Sequence, residues 1–137
     1  MKHFLFPRDS HTRTSLAVLF LRLALGLAFV THGWAKLQGF STMSESFPDP
    51  TGFLGSPIAL SLAIFAELVC AIGLILGLLH RLALIPMIFT MLMAFFVVHN
   101  GSFAEGGELA FVYLVGFVTL WITGPGTYSA DYLLFKK

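Results

Sequence analysis

Residues 15–37 read SLAVLFLRLALGLAFVTHGWAKL, an apolar run broken by only two strong cations, Arg22 and Lys36. The hydrocarbon core of a bilayer takes about 20 apolar helical residues to cross. The run is long enough for that, and too long for the ~7–15-residue apolar region of a secretory signal. No A-x-A-like cleavage site closes it, so it is expected to stay in the protein as a membrane span.

Working outward, three more stretches have the same character: Pro57–Leu79, Leu82–Val98 and Glu108–Thr123. The intervening sequence is turn-forming. Residues 39–56 are rich in Gly, Pro and Ser, His80-Arg81 makes a very short connection, residues 100–107 contain glycines, and Gly124-Pro125-Gly126 stops the last run. Composition agrees. Of 137 residues 57% are hydrophobic and only 11% charged, whereas soluble domains carry about 25% charged residues. The expected architecture is all-α, an integral membrane four-helix transmembrane bundle over residues 15–124, with spans near 15–37, 57–79, 82–98 and 108–123. Residues 1–14 and 125–137 are expected to be cytoplasmic tails.

Several classes fall away. A soluble bundle would need polar helix faces that these runs lack, and membrane strands would alternate rather than run continuously apolar. A formal charge of +1 with no basic patch excludes a nucleic-acid partner. Cys70 is the sole cysteine, so neither an intrachain disulfide nor a paired-thiolate metal site can form, and no metal is expected. Haem ligation by His32 and His99 is disfavoured because the spans hold no further histidines.

Lys and Arg concentrate on the cytoplasmic side of membrane proteins. Here Lys2, Arg8 and Arg13, then Arg81, then Lys136 and Lys137 fall on one side if the chain crosses four times, while the other loops hold Glu45, Asp49 and Glu105. The expected orientation is N-in/C-in.

An ionisable group at bilayer depth costs about 2.5–3.5 kcal/mol and normally faces the protein interior with a partner. The candidates are Arg22, His32, Lys36, Glu67, His99 and Glu108. Arg22, Gly26, Phe29, Gly33 and Lys36 fall at helical spacing on one stripe, and the glycines admit a close neighbour. Glu67 lies mid-span between Ala63 and Ala71. Their heights lead us to expect a structural Arg22–Glu67 ion pair, with Lys36 snorkelling to the surface. Two roles stay open for that pair: a register-fixing contact, or a carboxylate whose protonation is coupled to redox or transport. His32, Lys36, His99 and Glu108 are expected to converge at the outer mouth.

Three motifs carry a resemblance: R-x-x-x-G-x-x-F-x-x-H-G-x-x-K-L (Arg22–Leu37), A-E-L-x-x-x-x-G-L-x-x-G-L (Ala66–Leu78) and G-P-G-x-Y-S-x-D (Gly124–Asp131). In this order and spacing the chain resembles the DoxX family of small bacterial four-helix membrane proteins, from about Leu16 to Leu134. The matching positions are Arg22, Gly26, His32, Gly33, Lys36, Glu67 and Asp131. The resemblance implies an inner (plasma) membrane location and a small redox-associated subunit binding a quinone or similar lipid-soluble ligand. A redox partner protein would then supply any thiol chemistry. Against this stand a non-enzymatic scaffold that docks partners or homo-oligomerises in the bilayer, and a small lipid- or solute-binding transporter-like protein. Whether the chain is itself an enzyme stays open.

Overall fold

A computed structural model describes residues 10–136. Four helices in it are long and apolar enough to cross a membrane: His11–Gln38, Ser56–Leu76, His80–Val98 and Phe103–Thr123. We call them the first to fourth spans. Two short helices, Phe40–Met43 and Ala130–Phe135, complete the fold, and among the described residues there is no strand. The expected all-α four-span architecture is what the chain adopts. Of the basic residues that argued orientation, Lys2, Arg8 and Lys137 lie outside the described residues.

Each span packs on its sequence neighbours, and the fourth closes the ring against the first. Connections this short force antiparallel neighbours. One end of the bundle gathers the start of the first span, the turn between the second and third, and the C-terminal segment. We call it the terminal end. The other, the loop end, carries residues 39–55 and the 99–107 turn. The core runs along the axis through Phe29, Leu74, Leu84, Met87, Phe117 and Leu120, all essentially fully buried. Phe20, Phe53, Leu82 and Ile122 instead face outward, where a bilayer accepts them.

Span boundaries differ from expectation where local chemistry decides them. The second span stops at Leu76 rather than Leu79, because Gly77 at φ +67° and Leu79 at φ +47° reverse the chain through left-handed conformations. Residues 103–107 form an irregular wide turn, with Gly106 at φ +89°, before regular helix begins at Glu108. Within the segment expected as the C-terminal tail, residues 125–136 fold back on the terminal end. Ser129 Oγ accepts from Tyr132 N at 3.2 Å to cap the last helix, and Asp131 N donates to Gly77 O at 2.9 Å.

Candidate ligand-binding site

The first span carries two cations on one stripe, and the structure gives them separate tasks. Arg22 is 1% exposed. Its Nε donates to Leu74 O at 2.9 Å and its Nη2 to Ile75 O at 2.8 Å, while Nη1 reaches Pro125 O at 2.7 Å and Tyr128 O at 2.9 Å. Leu74 and Ile75 sit in the last turn of the second span, where the carbonyls carry partial negative charge and only Leu74 O finds a backbone partner, Gly77 N at 3.1 Å. Arg22 therefore binds a helix terminus to the C-terminal segment. Beside it Asp131 accepts from Leu79 N and His80 N, each at 2.8 Å, locking the tight turn. Gly77 makes the cluster possible, since a Cβ there would come within 2.6 Å of Arg22 Nη2 and 2.5 Å of Ser129 Cβ.

The expected Arg22–Glu67 ion pair is not formed. Arg22 lies level with Leu74, and Glu67 is about 10 Å further along the second span at 1.5 Å per residue. What lies opposite Glu67 is Gly33, where an added Cβ would be 2.8 Å from both Glu67 Cβ and Leu68 Cγ. That close approach sets Lys36, one turn on, over the carboxylate. Lys36 Nζ donates to Glu67 Oε1 at 2.9 Å and to Oε2 at 2.6 Å. Lys36 does not snorkel; it turns inward to the one acid at this depth.

Glu67 stands in a wide π-helical segment, Phe65–Cys70, of the second span. A second π turn, Ala94–Val98, leads into His99, and a kink with non-helical Glu105 and Gly106 follows in residues 103–107. π turns insert a residue into the helical register and recur at functional sites. All three segments border one cavity of about 500 Å³. Phe29, His32, Lys36, Glu67, His99 and Tyr113 line its interior, and Phe47, Pro48, Asp49, Pro50, Thr51 and Leu54 line it from the loop end. The volume falls within the roughly 300–1,000 Å³ of small-molecule sites, and an apolar wall with few polar groups is their usual make-up.

Four of the six candidates thus meet: His32, Lys36, Glu67 and His99. Arg22 is held elsewhere. Glu108 is also corrected, because the buried face of the fourth span runs Ala110, Tyr113, Phe117, Leu120 and leaves Glu108 exposed on another side. His99 Nδ1 lies 2.9 Å from Glu105 O. A carbonyl can only accept, so Nδ1 carries the proton, and in the neutral ring Nε2 remains an acceptor. The His32 ring meets the Tyr113 ring edge-on at 5.9 Å.

Two residues of consequence escaped the sequence reading. Tyr113 was absorbed into an apolar run, although its spacing of three from Ala110 and four from Phe117 places it on the inward face. His80 was read as part of a connection. It is buried, with Nε2 3.0 Å from Leu120 O and with Nδ1 lacking a partner among the described residues.

Four membrane-length antiparallel helices enclosing an ion pair in an apolar hollow define a multi-pass membrane protein with an internal site of ligand size. The chain belongs to the DoxX family, which residues 17–100 match. It is 36% identical over 128 residues to the inner membrane protein YqjF of Escherichia coli, covering 89% of this chain and 95% of that one. An uncharacterized protein of Haemophilus influenzae is 34% identical over 125 residues, covering 86% and 90%. An uncharacterized membrane protein of Mycobacterium tuberculosis is 28% identical over 149 residues, covering 96% and 90%. No solved structure matches the chain.

Proposed function

We propose that this protein is a redox-associated subunit of the bacterial inner membrane that holds a quinone or quinol head group beside Lys36–Glu67. The observation that carries the reading is the bidentate pair at the wall of an apolar, ligand-sized cavity. A buried pair that only fixed register would be expected in tight packing. This one borders space, and a ligand oxygen can share its charge.

The polar groups suit a ring that alternates between carbonyl and hydroxyl. The Lys36 ammonium carries three N–H donors, and a ligand carbonyl can accept from it. His99 Nε2, an acceptor in the neutral ring, suits a hydroxyl donor, which favours the reduced form at that side. The redox setting is what the DoxX resemblance implies, and the inner-membrane location is supported by the inner membrane protein YqjF of E. coli.

Solvent extraction of purified protein followed by mass spectrometry is expected to release a quinone. Titration with a short-chain ubiquinone in detergent is expected to show binding that Glu67→Gln and His99→Ala each weaken about tenfold, the equivalent of one lost hydrogen bond to a charged or buried group. Unchanged binding in both variants would remove the site assignment.

A further inference from the structure

The cavity has walls of unequal quality. Toward the loop end it is covered by residues 47–54, which hold a fixed shape: Asp49 Oδ1 accepts from Thr51 N at 3.0 Å and Thr51 Oγ1 at 2.6 Å, and Oδ2 accepts from Gly55 N at 2.8 Å. Prolines at 48 and 50 stiffen the same stretch. Toward the bilayer the wall is thin. The third span packs closely on Phe65–Leu76 of the second, but not on Ser56–Ile64, which leans instead on the first span. Above Glu67 the second and third spans therefore part. The residues framing the gap belong both to the cavity and to the lipid-facing surface: Leu62 and Phe65 on one side, Phe89 and Val98 on the other, each 43–53% exposed. Met93 stands between them, half-buried.

The depth of this gap matters. Leu62, Phe65 and Phe89 lie about 9–14 Å inside the loop ends of their spans at 1.5 Å per residue, so the deeper part of the opening lies at hydrocarbon depth, while Val98 marks its outer limit at the end of the third span. An opening at that level admits only what dissolves in lipid.

We propose that the cavity is fed sideways from the bilayer. Ligands cross between the second and third spans through the gap framed by Leu62, Phe65, Phe89 and Met93, and the apolar tail of a bound ligand lies in that gap. The occupant rests on the quinone reading; the route does not. The ligand class is an amphiphile with a polar ring or head that reaches Lys36–Glu67 and a hydrocarbon tail that stays in the membrane.

The test reads access without using a quinone. In a Cys70→Ser background, Ala63→Cys puts a thiol on the cavity wall one turn from Glu67 on the side of the gap. Protein in liposomes is treated with an apolar N-alkylmaleimide or with a sulfonated maleimide, and total thiol is counted after denaturation. The apolar reagent is expected to react at least about tenfold faster, because a fixed charge is strongly disfavoured at bilayer depth. Leu62→Trp with Met93→Trp is expected to slow it severalfold, and Phe89→Ala to speed it. Faster or equal labelling by the charged reagent would mean that water reaches the cavity beneath the loop, and would overturn the route. So would a thiol that neither reagent finds in folded protein, or rates indifferent to the gap variants. Short-chain ubiquinone titration of the wild type runs in parallel: no binding there, with lateral labelling intact, removes the quinone and leaves the route.

Discussion

Arg22 and Lys36 share one stripe of one helix, yet one serves a helix terminus and the other a cavity. Their fates follow from antiparallel register. The residues opposite Arg22 are the last carbonyls of the second span, and those opposite Gly33 and Lys36 surround Glu67. The stripe and its inward direction were legible from spacing alone. The partners were not, because one turn of uncertainty in the relative height of two helices exchanges a carboxylate for a helix end. A guanidinium also suits several carbonyls as well as it suits one carboxylate, which composition cannot reveal. Arg22→Met is expected to lower the thermal midpoint in detergent and to speed amide exchange at Leu79 and His80. Leu74 O would keep the Gly77 N–H at 3.1 Å, whereas Ile75 O, Pro125 O and Tyr128 O would each lose their Arg22 donor, at about 1–3 kcal/mol per carbonyl. Arg22→Lys should rescue little, since a single ammonium cannot span carbonyls from two separate segments. Equal stability in Arg22→Met and wild type would show that the cluster does not hold the C-terminal segment.

At the scale of elements, the wide turns and the 39–55 loop build the site. No periodicity announces a π turn, so the inward swing of Glu67 and the placement of His99 could not be read from sequence. The loop was legible only as a loop; its Asp49–Thr51–Gly55 hub needed coordinates. That hub makes a pH prediction. The Thr51 hydroxyl is the main cause holding the Asp49 carboxyl below its ordinary value of 3.8; desolvation opposes it as the next-largest effect, and the Gly55, Thr51 and Gly52 amides add to the lowering. The folded value is depressed, so the contribution is present above the ordinary value. It is lost as pH falls through the lower, folded one. Above pH 5 the Gly55 and Thr51 amides are therefore expected to exchange slowly relative to Asp49→Asn, with the difference vanishing in strong acid. The salt and detergent are held constant throughout. A difference that persisted once the Asp49 carboxyl is fully protonated in strong acid would show that the carboxylate charge is not what orders the loop.

At the scale of the whole molecule, the bundle was the most legible feature, because a bilayer leaves few ways to satisfy backbone groups and the helix is the one these runs allow. The site sits asymmetrically in that bundle. Arg13, Arg81 and Lys136 all belong to the terminal end, whereas Glu45, Asp49 and Glu105 belong to the loop end, where Lys36 is engaged by Glu67. By the bias of Lys and Arg toward the cytoplasm, the terminal end is expected inside and the roofed cavity in the outer half of the membrane. Fluorescent protein fused after Lys137 is expected to fluoresce, and alkaline phosphatase at the same point to be inactive. Phosphatase inserted after Phe53 should be active. The opposite pattern would reverse the orientation while leaving the fold and the ion pair intact, and would turn the roofed end of the cavity toward the cytoplasm. Orientation thus decides which compartment lies beyond the 47–54 roof, and which leaflet the gap between the second and third spans opens into.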